Sequence, residues 1–288
     1  MGHVYRMTDH VEKLIDLALT EDIGAGDVTS EYFVPQGVQA RALMLVKADG
    51  VVVGLEIAQR VFQKVDESIE TSILIADGSR VVKGAYVMEI KGPARSVLTG
   101  ERVALNFMQR LSGVATKTAM FVGLTEGTIA NVLDTRKTTP GWRELEKYAV
   151  TQGGGMNHRM GLYDRAMVKD NHLVAERDID DIQAAIAKLK RDKPHVEVEL
   201  EADSLDQVES FLKLDGVDHI LLDNMTNEQM REAVAMRGDE KFPKLEASGG
   251  VNEATIYEIA RTGVDFISVG ALTHSAVALD ISLDFVEL

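Results

Sequence analysis

VEVELEADSLDQVESFLKLDGVDHILLDNMTNEQMREAVAMRGDEKFPKLEASGG, residues 196–250, sets two amphipathic runs between three short apolar ones. VEVELE (196–201), HILLD (219–223) and KLEAS (244–248) have strand length and composition, while 204–214 and 226–236 carry helical spacing. Strands and helices alternating at this interval predict parallel strands joined by right-handed crossovers. The pattern extends both ways: IANVLD (129–134) and AMVKD (166–170) precede it, DFISVG (265–270) follows, and helical patterns occupy 141–151, 178–190 and 252–262.

What closes each strand is more telling than the strands themselves. The six runs end in Asp134-Thr135-Arg136-Lys137, Lys169-Asp170, Glu201, Asp223-Asn224, Ser248-Gly249-Gly250 and Gly270-Ala271. In an α/β barrel, side chains at the C-terminal edge converge on one site, and an open doubly wound sheet would use the same edge. Six strands plus a separate β-rich N-terminal part favour the first, an incomplete TIM-like α/β barrel. The expected division is an N-terminal domain over 1–113, joined by the tail 275–288, and a barrel over 114–274.

The N-terminal part reads as an amphipathic helix over 9–20, with Asp9 and Glu12 at capping-box spacing, then a strand over 40–47, a helix over 55–65 and short strands through Lys91. DGSRVVKGAYVMEIKGPA (77–94) has the glycine punctuation of half a carrier-domain hammerhead but no suitably flanked lysine, so it reads as strands and turns. A helix over about 100–122 carries Val103, Phe107, Leu111 and Val114 on one face and is expected to bridge the two domains.

The 288 residues are 45% apolar and 27% charged, enough for full cores. There is no cysteine, which excludes disulfides, thiolate metal sites and a cysteine nucleophile. A net charge of −15 argues against nucleic-acid or anionic-membrane partners. No apolar run approaches the ~20 residues of a membrane span, and the first residues lack a signal-peptide core, so a cytoplasmic protein is expected. Motifs of zincins, α/β-hydrolases and P-loop enzymes do not occur.

Charge is unevenly spread. Residues 131–172 hold seven Lys/Arg against five Asp/Glu, with His158 and His172 besides. Arg136, Lys137, Arg159, Lys169 and His158 would bring cations and an imidazole to one mouth, suited to a small anion; arginine grips carboxylate in a planar fork and lysine serves as a compact charge. Solvated loops are the bland reading. Glu201 and Asp223 can hold Mg²⁺ shared with a phosphorylated ligand, or simply pair with Lys137 or Lys169. Glu197 and Glu199 share a strand face with Glu201 and, lying deeper, are expected to pair with lysines at most. The glycine-bearing turns at 248–250 and 270–275 offer backbone N–H groups to a phosphate. His10, His195 and His219 read as surface or packing residues; His172 and His274 are ambiguous.

At this point the residues resemble a known family, the quinolinate phosphoribosyltransferases, also called carboxylating nicotinate-nucleotide pyrophosphorylases. The matching segments are EDIGAGDVTS, GERVALNFMQRLSGVAT, DTRKTTPGWRELEKYAV, GGGMNHRMGLYD, KDNH, ILLDNM, EASGGV and SVGALTHS, in family order over nearly the whole chain. Gln152, Trp142 and Met156 depart from the pattern, and EADSL is aligned with the family's E-x-x-S-L to choose Glu201 over Glu199. The resemblance implies that the N-terminal domain is an α+β open sandwich, and that the protein is a homodimer with shared active sites, in which Arg102 is supplied to the partner's quinolinate. It matches Arg136, Lys137, His158, Arg159 and Lys169 to the family's basic pocket, Glu201 and Asp223 to residues around ribose and Mg²⁺, and Ser248, Gly249, Gly250, Gly270 and His274 to its phosphate end. The implied reaction joins quinolinate to phosphoribosyl pyrophosphate (PRPP) with loss of CO₂. A relative acting on another acidic substrate, or a non-catalytic phosphometabolite-binding barrel, is the alternative.

Overall fold

The computed structural model describes residues 5–169 and 179–287. The chain forms two compact units: one from residues up to 119, 139–154 and 275 onward, the other from 120–138 and 155–274. The segment 139–154, assigned to the barrel on sequence, therefore belongs to the first unit.

The first unit begins with α1 (Asp9–Ile23) and α2 (Val28–Phe33). The cap of α1 is Thr8 and not Asp9: the Thr8 hydroxyl accepts from Val11 N, while Glu12 is drawn to Arg60 and Lys64. β1 (Gln39–Val46) alternates as a half-buried strand should, burying Ala40, Ala42, Met44 and Val46. β2 (Gly50–Val51) pairs with β4 (Arg80–Val81); β3 (Glu70–Ile73), β5 (Tyr86–Pro93) and β12 (Ile281–Glu287) join β1 in an antiparallel sheet of order β12-β1-β5-β3. The apolar alternation Ile281, Leu283, Phe285 is the signal that would have shown the tail to be a strand.

α3 (Leu55–Val65) and the long α4 (Ala94–Leu124) supply the unit's helical core, and the boundary between units falls inside α4. α5 (Arg143–Gln152) also packs in this unit. Its buried Glu146 is gripped by Arg110 at 2.6 Å, and Trp142 stacks on Phe107 with ring centroids 4.7 Å apart. Gly153 ends α5 where a Cβ would lie 2.4 Å from the carbonyl of Ala115, so only glycine fits without displacement.

The second unit is a parallel sheet of β6 (Asn131–Leu133), β7 (Arg165–Val168), β8 (Glu197–Ala202), β9 (His219–Asp223), β10 (Lys244–Ser248) and β11 (Phe266–Ser268), in the order β6-β11-β10-β9-β8-β7. That order is the chain order closed into a ring and cut between β6 and β7, which is the signature of an incomplete barrel. A single bridge from Leu133 to Met156 extends the far side of β6. The intervening helices are α6 (Ile179–Asp192), α7 (Leu205–Phe211), α8 (Asn227–Arg237), α9 (Ile256–Ala260) and α10 (Ala271–His274). α9 is much shorter than the 252–262 expected, because Asn252 and Thr255 bond locally to backbone N–H groups of Ala254 and Asn252 and hold the chain in a turn. No described helix is long and apolar enough to cross a membrane.

Candidate functional site

Parallel strands in register deliver their last residues to one rim. Glu201 pairs with Leu221 and Leu221 with Glu246, while Asp223 pairs with Ser248, so carboxylates and hydroxyl end three adjacent strands at neighbouring heights. They line a cavity of about 440 Å³, together with Arg136 and Lys137 after β6, His158 and Arg159 from the following loop, Lys169 after β7, and Gly249 and Gly250 after β10. Ten of the thirteen residues expected at the site on sequence thus share one cavity. Asp170 and His172 lie outside the described residues.

Three do not line it. Arg102 is exposed on α4 in the first unit. Gly270 and His274 stand just behind Lys137: a Cβ on Gly270 would come within 3.1 Å of Lys137 Cδ and 3.2 Å of the His274 ring. Thr273 Oγ1 of the same turn donates to the Lys137 carbonyl at 2.7 Å, fixing the loop that presents the lysine.

At the rim, Lys169 is ion-paired with Glu201, the plainer of the two readings of that carboxylate. Asn224, itself at φ 52°, donates to Asp223 at 2.9 Å. Gly249 is at φ +96°, and a Cβ there would lie 2.1 Å from Asn224 Oδ1. Both facts demand glycine. Arg159 is anchored by donation to the Arg165 carbonyl at 3.2 Å and by Met167 Sδ. Burial and the neighbouring charge of Arg136 lower its affinity for its own proton.

One layer down, the expectation of lysine partners fails. Glu197 pairs with Arg165 and His219, and fully buried Glu199 lies 3.1 Å from His158 Nε2 and 3.4 Å from Arg165. Asp134, also buried, accepts the His158 N–H at 2.8 Å. Sequence reasoning missed Glu246 and Ser268 as parts of the site, and named Asp134 and Asn224 only as strand ends; the signal for Glu246 was a carboxyl in the middle of an apolar strand, KLEAS.

Mg²⁺ binds oxygen, keeps several waters and commonly takes only one or two protein carboxylates besides substrate phosphate. Glu201 and Asp223, both facing the open cavity from adjacent strand ends, fit that donor set.

Residues 27–112 match the family described as quinolinate phosphoribosyl transferase, N-terminal domain, and residues 114–284 match its C-terminal domain. The chain is 40% identical to a quinolinate phosphoribosyltransferase (decarboxylating) of Nicotiana tabacum, over 96% of this chain and 82% of that one. It is 39% identical to a chloroplastic nicotinate-nucleotide pyrophosphorylase (carboxylating) of Arabidopsis thaliana, over 96% and 83%. Among solved structures, the nicotinate-nucleotide pyrophosphorylase of Francisella tularensis superposes with a TM-score of 0.90 at 37% identity, covering 98% of each chain. The chain belongs to the quinolinate phosphoribosyltransferase family.

Proposed function

We propose that the protein transfers the phosphoribosyl group of PRPP to the ring nitrogen of quinolinate, releasing pyrophosphate and CO₂ and giving nicotinate mononucleotide for NAD biosynthesis. The observation that carries this reading is the cavity in which Arg136, Lys137, Arg159 and Lys169 face Glu201 and Asp223. A dicarboxylate and a pyrophosphate together bring far more negative charge than ordinary packing would need to balance.

Arg136 and Arg159 grip the quinolinate carboxylates, and the forks aim the ring nitrogen at ribose C1. As the bond from C1 to pyrophosphate breaks, the sugar gains positive charge, which Glu201 and Asp223 stabilise. Lys137 and Lys169 neutralise the departing oxygens, and backbone N–H groups of the Ser248–Gly250 turn hold the 5′-phosphate. Glu201 and Asp223 would hold Mg²⁺, which when bound adds positive charge beside the leaving pyrophosphate. Ribosylation turns the ring into a pyridinium. The bond to the adjacent carboxylate then breaks, its electron pair stays on the ring carbon beside the cationic nitrogen, and that carbon takes up a proton as CO₂ departs. No covalent nucleophile is needed.

The enzyme is further read as a cytoplasmic homodimer in which Arg102 of one protomer completes the quinolinate site of the other; the exposure of Arg102 on α4 supports this. Mixing inactive Arg102→Ala with inactive Lys137→Ala should then recover activity through hybrid dimers, and verified hybrids without recovery would exclude it. The reaction itself is tested by incubating the purified protein with PRPP, Mg²⁺ and quinolinate. Pyrophosphate and CO₂ should appear in equal amounts; pyrophosphate release with nicotinate but not quinolinate would contradict the substrate.

A further inference from the structure

Glu146 of α5 is a charged side chain with no exposed surface, and it does not line the cavity. Arg110 of α4 donates to its Oε1 from Nε at 3.1 Å and from Nη2 at 2.6 Å. Thr139 donates twice more, from its backbone N–H to Oε2 at 3.1 Å and from its hydroxyl to Oε1 at 2.8 Å. Arg110 Nη1 reaches onward to the carbonyl of Ala276 at 3.0 Å. A buried carboxylate persists where it is paired and hydrogen-bonded, and this one is bonded on both oxygens.

The two segments held by this ion pair are remote in sequence, yet both lead to Lys137. Thr139 follows Lys137 by two positions. Ala276 follows Thr273 by three, and the Thr273 hydroxyl donates to the Lys137 carbonyl at 2.7 Å. The chain around the lysine is a tight local turn. Lys137 N–H bonds the Thr135 hydroxyl at 3.1 Å, and Thr138 N–H bonds the Arg136 carbonyl at 3.0 Å. Consecutive Cα atoms are about 3.8 Å apart, so an anchor two or three residues away leaves the backbone of Lys137 little slack.

Stability alone gives little reason for the pair, because apolar side chains of similar volume often replace a buried ion pair without loss. What they cannot supply is directional bonds to the Thr139 N–H and the Ala276 carbonyl.

We propose that Glu146 and Arg110 are positioning residues: by fixing Thr139 and Ala276 they set the place of Lys137 for the departing pyrophosphate. The consequence for binding rests on the reading of the cavity as the PRPP site. The hold on the chain at Lys137 does not.

The test is a double-mutant cycle between the paired substitution Arg110→Met with Glu146→Leu and the single substitution Lys137→Ala. It is read by calorimetric titration with inorganic pyrophosphate in Mg²⁺ and, without ligand, by amide hydrogen exchange at Lys137 and Thr138. Met and Leu fill the space but bond neither backbone group. With Lys137 present, the paired substitution should weaken pyrophosphate about five- to tenfold; in Lys137→Ala it should do so by less than about twofold. A lysine that is gone cannot be misplaced. The Lys137 and Thr138 amides, whose own acceptors are untouched, should exchange faster by about tenfold. Equal weakening in both backgrounds is what a general loosening of the fold would give, and it overturns the proposal. Unchanged affinity with Lys137 present overturns it too, as does unchanged exchange. Should the paired substitution fail to fold, Arg110→Lys enters the same cycle, since a compact ammonium cannot span Glu146 and the Ala276 carbonyl as a guanidinium does. About threefold weakening, confined to the background that keeps Lys137, is then expected, and equal effects again overturn the proposal. Should the wild type bind no pyrophosphate, the reading of the cavity falls and the exchange at Lys137 and Thr138 alone judges the hold.

Discussion

The first unit half-buries a pair of acids and the second buries one fully, and the two pairs do different things. In the first, Asp77 accepts from the N–H groups of Gly54 and Leu55 at the start of α3, at 2.8 and 3.0 Å, and from the Tyr148 hydroxyl at 2.9 Å. Burial raises both the Glu56 and the Asp77 carboxyls, and the charge of Asp77 adds to the rise at Glu56. The Tyr5 and Tyr148 rings meet at 4.6 Å beside them. In the second, Glu246 lines a cavity walled by arginines and lysines, and Glu199 is buried one layer below Glu201. Burial alone displaces an acid wherever it occurs. What separates a chemical site from a structural clasp is substrate-sized space and an excess of cations next to the acids. The Asp77 pair has a helix end and two phenols instead.

The contrast is sharpest at Glu201, which sits two residues above Glu199 on the same strand face. Glu201→Gln should cut kcat by roughly 100-fold or more with quinolinate affinity within about threefold, since it removes charge needed mainly in the transition state. Glu199→Gln should act chiefly through stability and pocket order. If steady-state kinetics on well-folded proteins reversed that ranking, the rim would be the clasp and the buried layer the chemistry. Next in size, Arg159→Ala should weaken quinolinate by about 2 kcal/mol while PRPP affinity changes little, read by titration of each ligand; equal losses would remove Arg159 from the quinolinate side.

On the clasp side, Asp77→Ala should cost about 1–2 kcal/mol of unfolding free energy, the scale of a lost helix cap, with kcat per folded molecule unchanged. A fall in kcat at full folding would mean that the first unit's pair also serves the reaction. The smallest effect is in pH. Because folding raises the Glu56 and Asp77 carboxyls, the folded state holds a proton that the unfolded chain has already released above about pH 4. Their contribution to stability therefore declines as pH rises through that window toward the folded-state value. Asp77→Asn should flatten the slope in denaturant midpoints measured across pH 4–7, relative to wild type; an unchanged slope would show that the pair does not share a proton.

The barrel and its rim were legible because parallel strands announce themselves as apolar runs, and because strand C-termini are where such sheets place their polar residues. HILLD and KLEAS ended where the register puts Asp223 beside Ser248. The contact of buried Glu199 with His158 below the rim was not legible. Glu199 and His158 are 41 positions apart in sequence, and nothing in VEVELE says that its middle glutamate meets an imidazole rather than a lysine. The placement of 139–154 in the first unit was equally hidden, since α5 sits between two stretches of the basic site. Its assignment depends on Glu146 meeting Arg110 and Trp142 meeting Phe107, contacts that periodicity does not encode.

The central claim is that the cationic rim of the barrel is the quinolinate site. A crystal structure of the protein with quinolinate bound tests it most directly. The account predicts both carboxylates within hydrogen-bonding distance of Arg136 and Arg159, and the ring nitrogen turned toward the space between Glu201 and Asp223. Quinolinate bound anywhere else, or held in the cavity with its nitrogen against the basic wall, would contradict it.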